Sequence, residues 1–168
     1  DVRAHRSLRL LPQARRAGAW GHGADAATGH TPVWPRKGAM NRKRFEALVA
    51  EAITLIPKRF REAMRNVAVV VEDEPPAELL DEMEIPEGDT LFGLYQGTPL
   101  PERGWDYGNT LPDRIVIYQF PIEDACDTED EIVGTIGETV IHEFGHYFGL
   151  SEEEIEAIEA RYCRGEDD

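Results

Sequence analysis

Apolar residues first recur at helical spacing just after Asn41. Phe45, Leu48, Val49, Ala52, Ile53 and Ile56 trace one face of a helix, with Arg, Lys and Glu opposite. Asn41 is its predicted N-cap. Pro57 breaks or restarts the helix, and Phe60 and Met64 extend the apolar face. Val67–Val71 is a short β-branched run closed by Glu72-Asp-Glu-Pro-Pro76, which reads as a buried strand. Ala77–Met83 reads as a short helix. Its acids Glu78, Asp81 and Glu82, with Glu84, read as a solvated face rather than as ligands. Thr90–Gly97 reads as a second strand, in which Gly93 and Gly97 mark a bulge or a close backbone approach. Thr98–Leu111 is a Pro-, Gly- and aromatic-rich loop. Arg114–Phe120 is a third strand that Pro121 stops, and adjacency pairs it with the second as a hairpin.

The longest pattern follows. Thr128 and Glu131 make a capping box, and acids at this terminus suit the helix dipole. Ile136, Val140, Ile141, Phe144 and Phe148 then recur at helical spacing. Gly134 and Gly137 each weaken a helix by about 1 kcal/mol relative to Ala, so something is expected to pack closely there, with the sheet as candidate. Gly149 is placed to end the helix at positive φ. Ser151 and Glu154 form a second capping box, opening a last helix with Ile155, Ile158 and Tyr162 on its apolar face.

Composition is that of a globular domain, 41% hydrophobic and 30% charged over 168 residues. The net charge of −15 is unevenly spread. Residues 1–39 carry seven Lys and Arg against two acids, whereas residues 40–168 carry eleven against 31. The first segment, with repeated Gly and Pro and no hydrophobic period, is expected to be a disordered basic extension or sequence translated upstream of a start at Met40. The domain is then residues 40–168. Its acidity argues against nucleic acid and membranes as partners and suits neutral or cationic peptides. Cys126 and Cys163 are far apart and in no metal-binding pattern, so they read as free thiols in a reducing compartment. No apolar run is long enough to span a membrane or to serve as a signal sequence, and a cytoplasmic location is expected.

The candidate chemistry lies on the long helix. His142-Glu-x-x-His146 puts two imidazoles on one face, one turn apart, at the separation that holds one Zn²⁺. Glu143 lies along the edge of that face, within reach of a metal-bound water. Glu152, three residues past Gly149, is a candidate third, oxygen ligand. A one-residue shift would hand that role to Glu153. Glu138 lies one turn before His142, either as acceptor of its other ring N–H or solvated. His5, His22 and His30 fall in the extension and are given no metal role.

The run His142-Glu-x-x-His146-x-x-Gly149-x-x-Glu152 resembles the zincin metallopeptidases, in particular their metzincin-like branch. More narrowly, the stretch from His142 to Glu154 is similar to the small bacterial minimal zincins, in which an acidic residue replaces a third histidine. The similarity covers most of Met40–Cys163, including Gly93–Gly97 and Leu111–Tyr118. Glu152 stands where full metzincins have His, and no Met follows to form a Met-turn. The resemblance implies an α+β, minimal zincin-like fold. A small mixed or antiparallel sheet of three to four strands would pack on the N-terminal helix and the motif helix, with a short C-terminal helix. It implies one Zn²⁺ per chain on His142, His146 and Glu152, and peptide-bond hydrolysis through a zinc-bound water with Glu143 as general base. Substrate would lie as an extended strand along Leu91–Gly97. Tyr147, Tyr95 and Tyr107 are candidate oxyanion donors. The alternative is a catalytically weak zinc-binding module that holds an extended peptide or protein partner.

Overall fold

In the computed structural model, which describes residues 40–97 and 113–166, three strands carry the sheet in the order β1-β3-β2. β1 (Ala68–Glu72) runs parallel to β3 (Arg114–Tyr118), and β2 (Gly93–Gln96) runs antiparallel to it, with Tyr95 opposite Ile115. The expected hairpin partners are therefore paired, and the sheet is mixed. β3 is central and covered on both faces. Ile115 and Ile117 join a core with Phe45, Leu48, Ile136, Val140 and Phe144, whereas Val116 and Tyr118 pack with Met83, Leu91 and Leu94. Two buried faces explain why β3 reads as a continuous apolar run rather than an alternating one.

The first face is covered by helices. α1 (Arg42–Leu55) starts at Asn41, whose side chain accepts from Arg44 N–H at 2.9 Å. It ends at Ile56 before Pro57, and α2 (Lys58–Ala63) and a 3₁₀ turn (Met64–Asn66) continue the chain. α3 (Ala77–Glu82) carries Leu79 and Leu80 against the other face. The sequence pattern missed α4 (Gln119–Ala125), because Pro121 was expected only to stop a strand. Here Pro121 occupies the first turn of a helix, where the missing N–H breaks no intrahelical bond and the fixed φ suits the helix. The expectations for residues 1–39 and for the loop 98–111 lie outside the described residues.

α5 (Glu129–Tyr147) is the central helix, capped by Thr128, which accepts from Glu131 N–H at 3.2 Å. Its C-terminus closes as a Schellman motif. Gly149 takes φ +73°, Gly149 N–H donates to His146 C=O, and Leu150 N–H donates to Gly145 C=O, each at 3.0 Å. The chain is thereby turned so that α6 (Glu152–Cys163) returns along α5 from its capping box at Ser151.

α6 lies unusually close to α5, and two glycines allow it. A Cβ on Gly137 would fall 2.0 Å from the Tyr162 ring, and one on Gly145 would fall 2.5 Å from Ile155. The close packing expected at Gly137 is therefore real, but the partner is α6 and not the sheet. Tyr162 donates to Val133 C=O at 2.8 Å, and burial raises its phenol pKa, so the donor stays protonated. Among the described residues, nothing outside the helix backbone would lie within 4 Å of a Cβ at Gly134, and none of them requires a glycine there.

The two glycines should respond to alanine in opposite senses, as read by urea denaturation. Gly134→Ala should stabilise by about 0.5–1 kcal/mol through helix propensity. Gly137→Ala makes the same propensity gain but forces Tyr162 out of its seat, and should be net destabilising by about 1–2 kcal/mol.

Candidate metal centre

α5 presents His142 and His146 one turn apart, and both rings turn to the same point. Their Nε2 atoms are 3.2 Å apart and the ring centroids 4.8 Å apart. The Schellman turn and the α6 capping box bring Glu152 to the same place. Its Oε1 lies 3.2 Å from His146 Nε2 and its Oε2 3.8 Å from His142 Nε2. Each of the three residues offers one ligand atom, all within 4.8 Å of one another. Among the described residues no other group of three or more His, Cys, Asp or Glu side chains converges in this way.

The donor set fits zinc. Ligands about 2.0–2.1 Å from a tetrahedral ion stand about 3.3 Å from each other, close to the two 3.2 Å separations here. Two imidazole nitrogens and a carboxylate oxygen also make the three-ligand set that leaves a fourth position open. The sites differ in exposure. His142 is buried and His146 half-buried, whereas the Glu152 side chain is 63% exposed, so the group opens to solvent on the α6 side.

Glu143 faces inward from the same turn of α5 and is 1% exposed. Its Oε2 accepts from the backbone N–H of Tyr95 at 2.9 Å. That bond requires β2 to lie very close to α5, and Gly93 makes this possible. A Cβ at Gly93 would fall 2.6 Å from Thr139 Cγ2, one turn before Glu143. Gly93 thus marks the close backbone approach expected from the sequence. Tyr95 N–H, on the side of β2 away from β3, is given to the carboxylate.

A family model of zincin-like metallopeptidases matches residues 64–162, which span all of the elements from the 3₁₀ turn to Tyr162. The chain belongs to that family. A comparison with curated proteins finds no significant match. Zincin-like membership implies zinc as the metal and peptide-bond hydrolysis as the class of reaction, and the α+β architecture agrees with it.

Within this zincin-like centre, sequence reasoning missed Glu159. Its Oε1 lies 3.2 Å from His142 Nδ1, the ring nitrogen turned away from Glu152. Glu138, the residue considered for that place, instead accepts from Cys163 Sγ at 3.0 Å. The overlooked signal was spacing: Glu159 follows Glu152 by seven residues and so shares its face of α6. Of the tyrosines considered as oxyanion donors, Tyr95 and Tyr147 are buried with ring centroids 5.4 Å apart, and Tyr147 stacks on Phe144. Tyr107 lies outside the described residues. No described helix is long and apolar enough to cross a membrane.

Burial lowers the His146 pKa below its ordinary 6.5, and neighbouring His142 lowers it further against an opposing effect of Glu152. A ligating imidazole must be neutral, so this shift prepares the residue for metal. The same shift has a stability consequence in metal-free protein. Between the lowered folded value and 6.5 the unfolded chain binds the proton that the folded chain refuses, so stability falls as pH falls through 6.5. Urea midpoints of metal-free protein should show that decline, and His146→Gln should remove the part due to this residue. For the candidate ligands, Glu152→Ala should abolish zinc binding in metal analysis, whereas Glu153→Ala should keep one zinc per chain.

Proposed function

We propose that the protein is a zinc-dependent peptidase in which His142, His146 and Glu152 hold the metal and Glu143 is the general base. The observation that supports this reading most directly is the convergence of three donor atoms, with the residue after His142 a buried carboxylate bonded to β2. When bound, zinc supplies a Lewis acid for the scissile carbonyl and lowers the pKa of water. Glu143 takes the proton of the attacking water and passes it to the leaving amine. Tyr95 N–H orients that carboxylate by one oxygen, so the base is aimed before substrate arrives.

Peptide substrate is proposed to lie extended along β2, within Leu91–Gly97. Among the described residues β2 ends the sheet on the side remote from β1, and it is the strand tied to Glu143. Main-chain pairing there would hold peptides of varied sequence. Because Tyr95 N–H is already given to Glu143, that rung cannot also donate to the substrate. The acidic surface of residues 40–168 suits neutral or cationic peptides.

Glu143→Gln keeps the size of the side chain and an acceptor for Tyr95 N–H but removes the base. It should retain one zinc per chain and lose cleavage of an unstructured peptide by about 10²–10⁴-fold. Cleavage at the wild-type rate would remove Glu143 from the mechanism. Wild-type protein that holds zinc and cleaves no peptide would instead favour a binding module for extended segments.

A further inference from the structure

The His142 ring is gripped at both nitrogens. Nε2 faces His146 and Glu152, and Nδ1 faces the Glu159 carboxylate at 3.2 Å. Glu159 is well shielded, with its side chain 13% exposed, unlike Glu152 on the same helix face. An ionised carboxylate accepts hydrogen bonds and has none to donate. With Glu159 as the acceptor, the hydrogen of this contact would sit on His142 Nδ1. A neutral imidazole carries one ring hydrogen, so Nε2 keeps its lone pair. His146 has no such partner at its Nδ1 among the described residues. In that arrangement His146 Nε2–H would be the donor to His142 Nε2 across the 3.2 Å between the rings in metal-free protein.

We propose that Glu159 is a positioning residue, which locks His142 in the Nδ1–H tautomer and so presents its Nε2 lone pair to a metal before any metal binds. The proposal rests on the reading of His142 as a ligand. It adds that α6 supplies both a ligand, Glu152, and the residue that orients the opposite ligand. Docking of α6 on Gly137 and Gly145 thus sets the direction of a histidine on another helix. The alternative tautomer would place hydrogen on His142 Nε2, and the metal would have to displace it.

Long-range ¹H–¹⁵N NMR of metal-free protein at pH 8 reads the tautomers directly, and chelator competition reads zinc affinity. Wild type should show His142 as Nδ1–H and His146 as Nε2–H. Glu159→Ala should give a mixture at His142 and weaken zinc binding by about 10–100-fold. Glu159→Gln, which keeps an acceptor and the side-chain volume, should retain the Nδ1–H tautomer and lose less affinity. Wild-type His142 in the Nε2–H form overturns the proposal, even if the alanine variant does not fold. So does Glu159→Ala with tautomer and affinity both unchanged. Failure of wild type to bind zinc, with the tautomers as expected, would overturn the ligand reading and leave the Glu159–His142 bond standing.

Discussion

Two imidazole nitrogens held 3.2 Å apart set the terms for everything around them. Burial makes a charged ring costly there, and two charged rings at that distance would also repel each other. The His146 pKa is lowered for these reasons. A dication held by both nitrogens would remove that conflict. The pair exists because His142 and His146 lie one turn apart on a helix whose other face is buried in the main core. Val140, Ile141 and Phe144 fix the rotation of α5 about its axis. Rotation fixed on one side aims the imidazoles on the other.

The carboxylates must come from elsewhere, and the fold brings them by close approach. Gly137 and Gly145 let α6 settle against α5, and the Schellman turn at Gly149 starts that return within a few residues of His146. Gly93 plays the same part on the opposite side, where β2 comes near enough for Tyr95 N–H to hold Glu143. Each of these contacts gives up helix or strand propensity for proximity, and each serves a group in the proposed site. Gly134 gives up the same propensity with no close neighbour, which sets it apart from the other three.

Much of this was legible in the chain because the signals are local. Asn41, Thr128 and Ser151 cap their helices through contacts three residues long, and all three side-chain bonds are present. The His142–His146 spacing and the left-handed Gly149 are likewise short-range. Glu152 was reachable from the same motif, since the capping box places it at the first position of α6. What could not be read depends on tertiary packing. Spacing from Glu152 puts Glu159 on the right face of α6, but its meeting with His142, 17 residues away, depends on how closely the two helices pack. The partner of Gly137 was misplaced for the same reason: a glycine announces closeness without naming the neighbour. α4 was lost to Pro121, which stops a strand and starts a helix with equal ease.

The central claim is that His142, His146 and Glu152 converge on one ion. Anomalous diffraction at the zinc edge from crystals of zinc-loaded protein tests it most directly. The account predicts one strong peak per chain, about 2.0–2.1 Å from both Nε2 atoms and about 2.0–2.2 Å from a Glu152 oxygen. A peak placed elsewhere, such as at Cys163 and Glu138, or no peak between the two imidazoles, would contradict it.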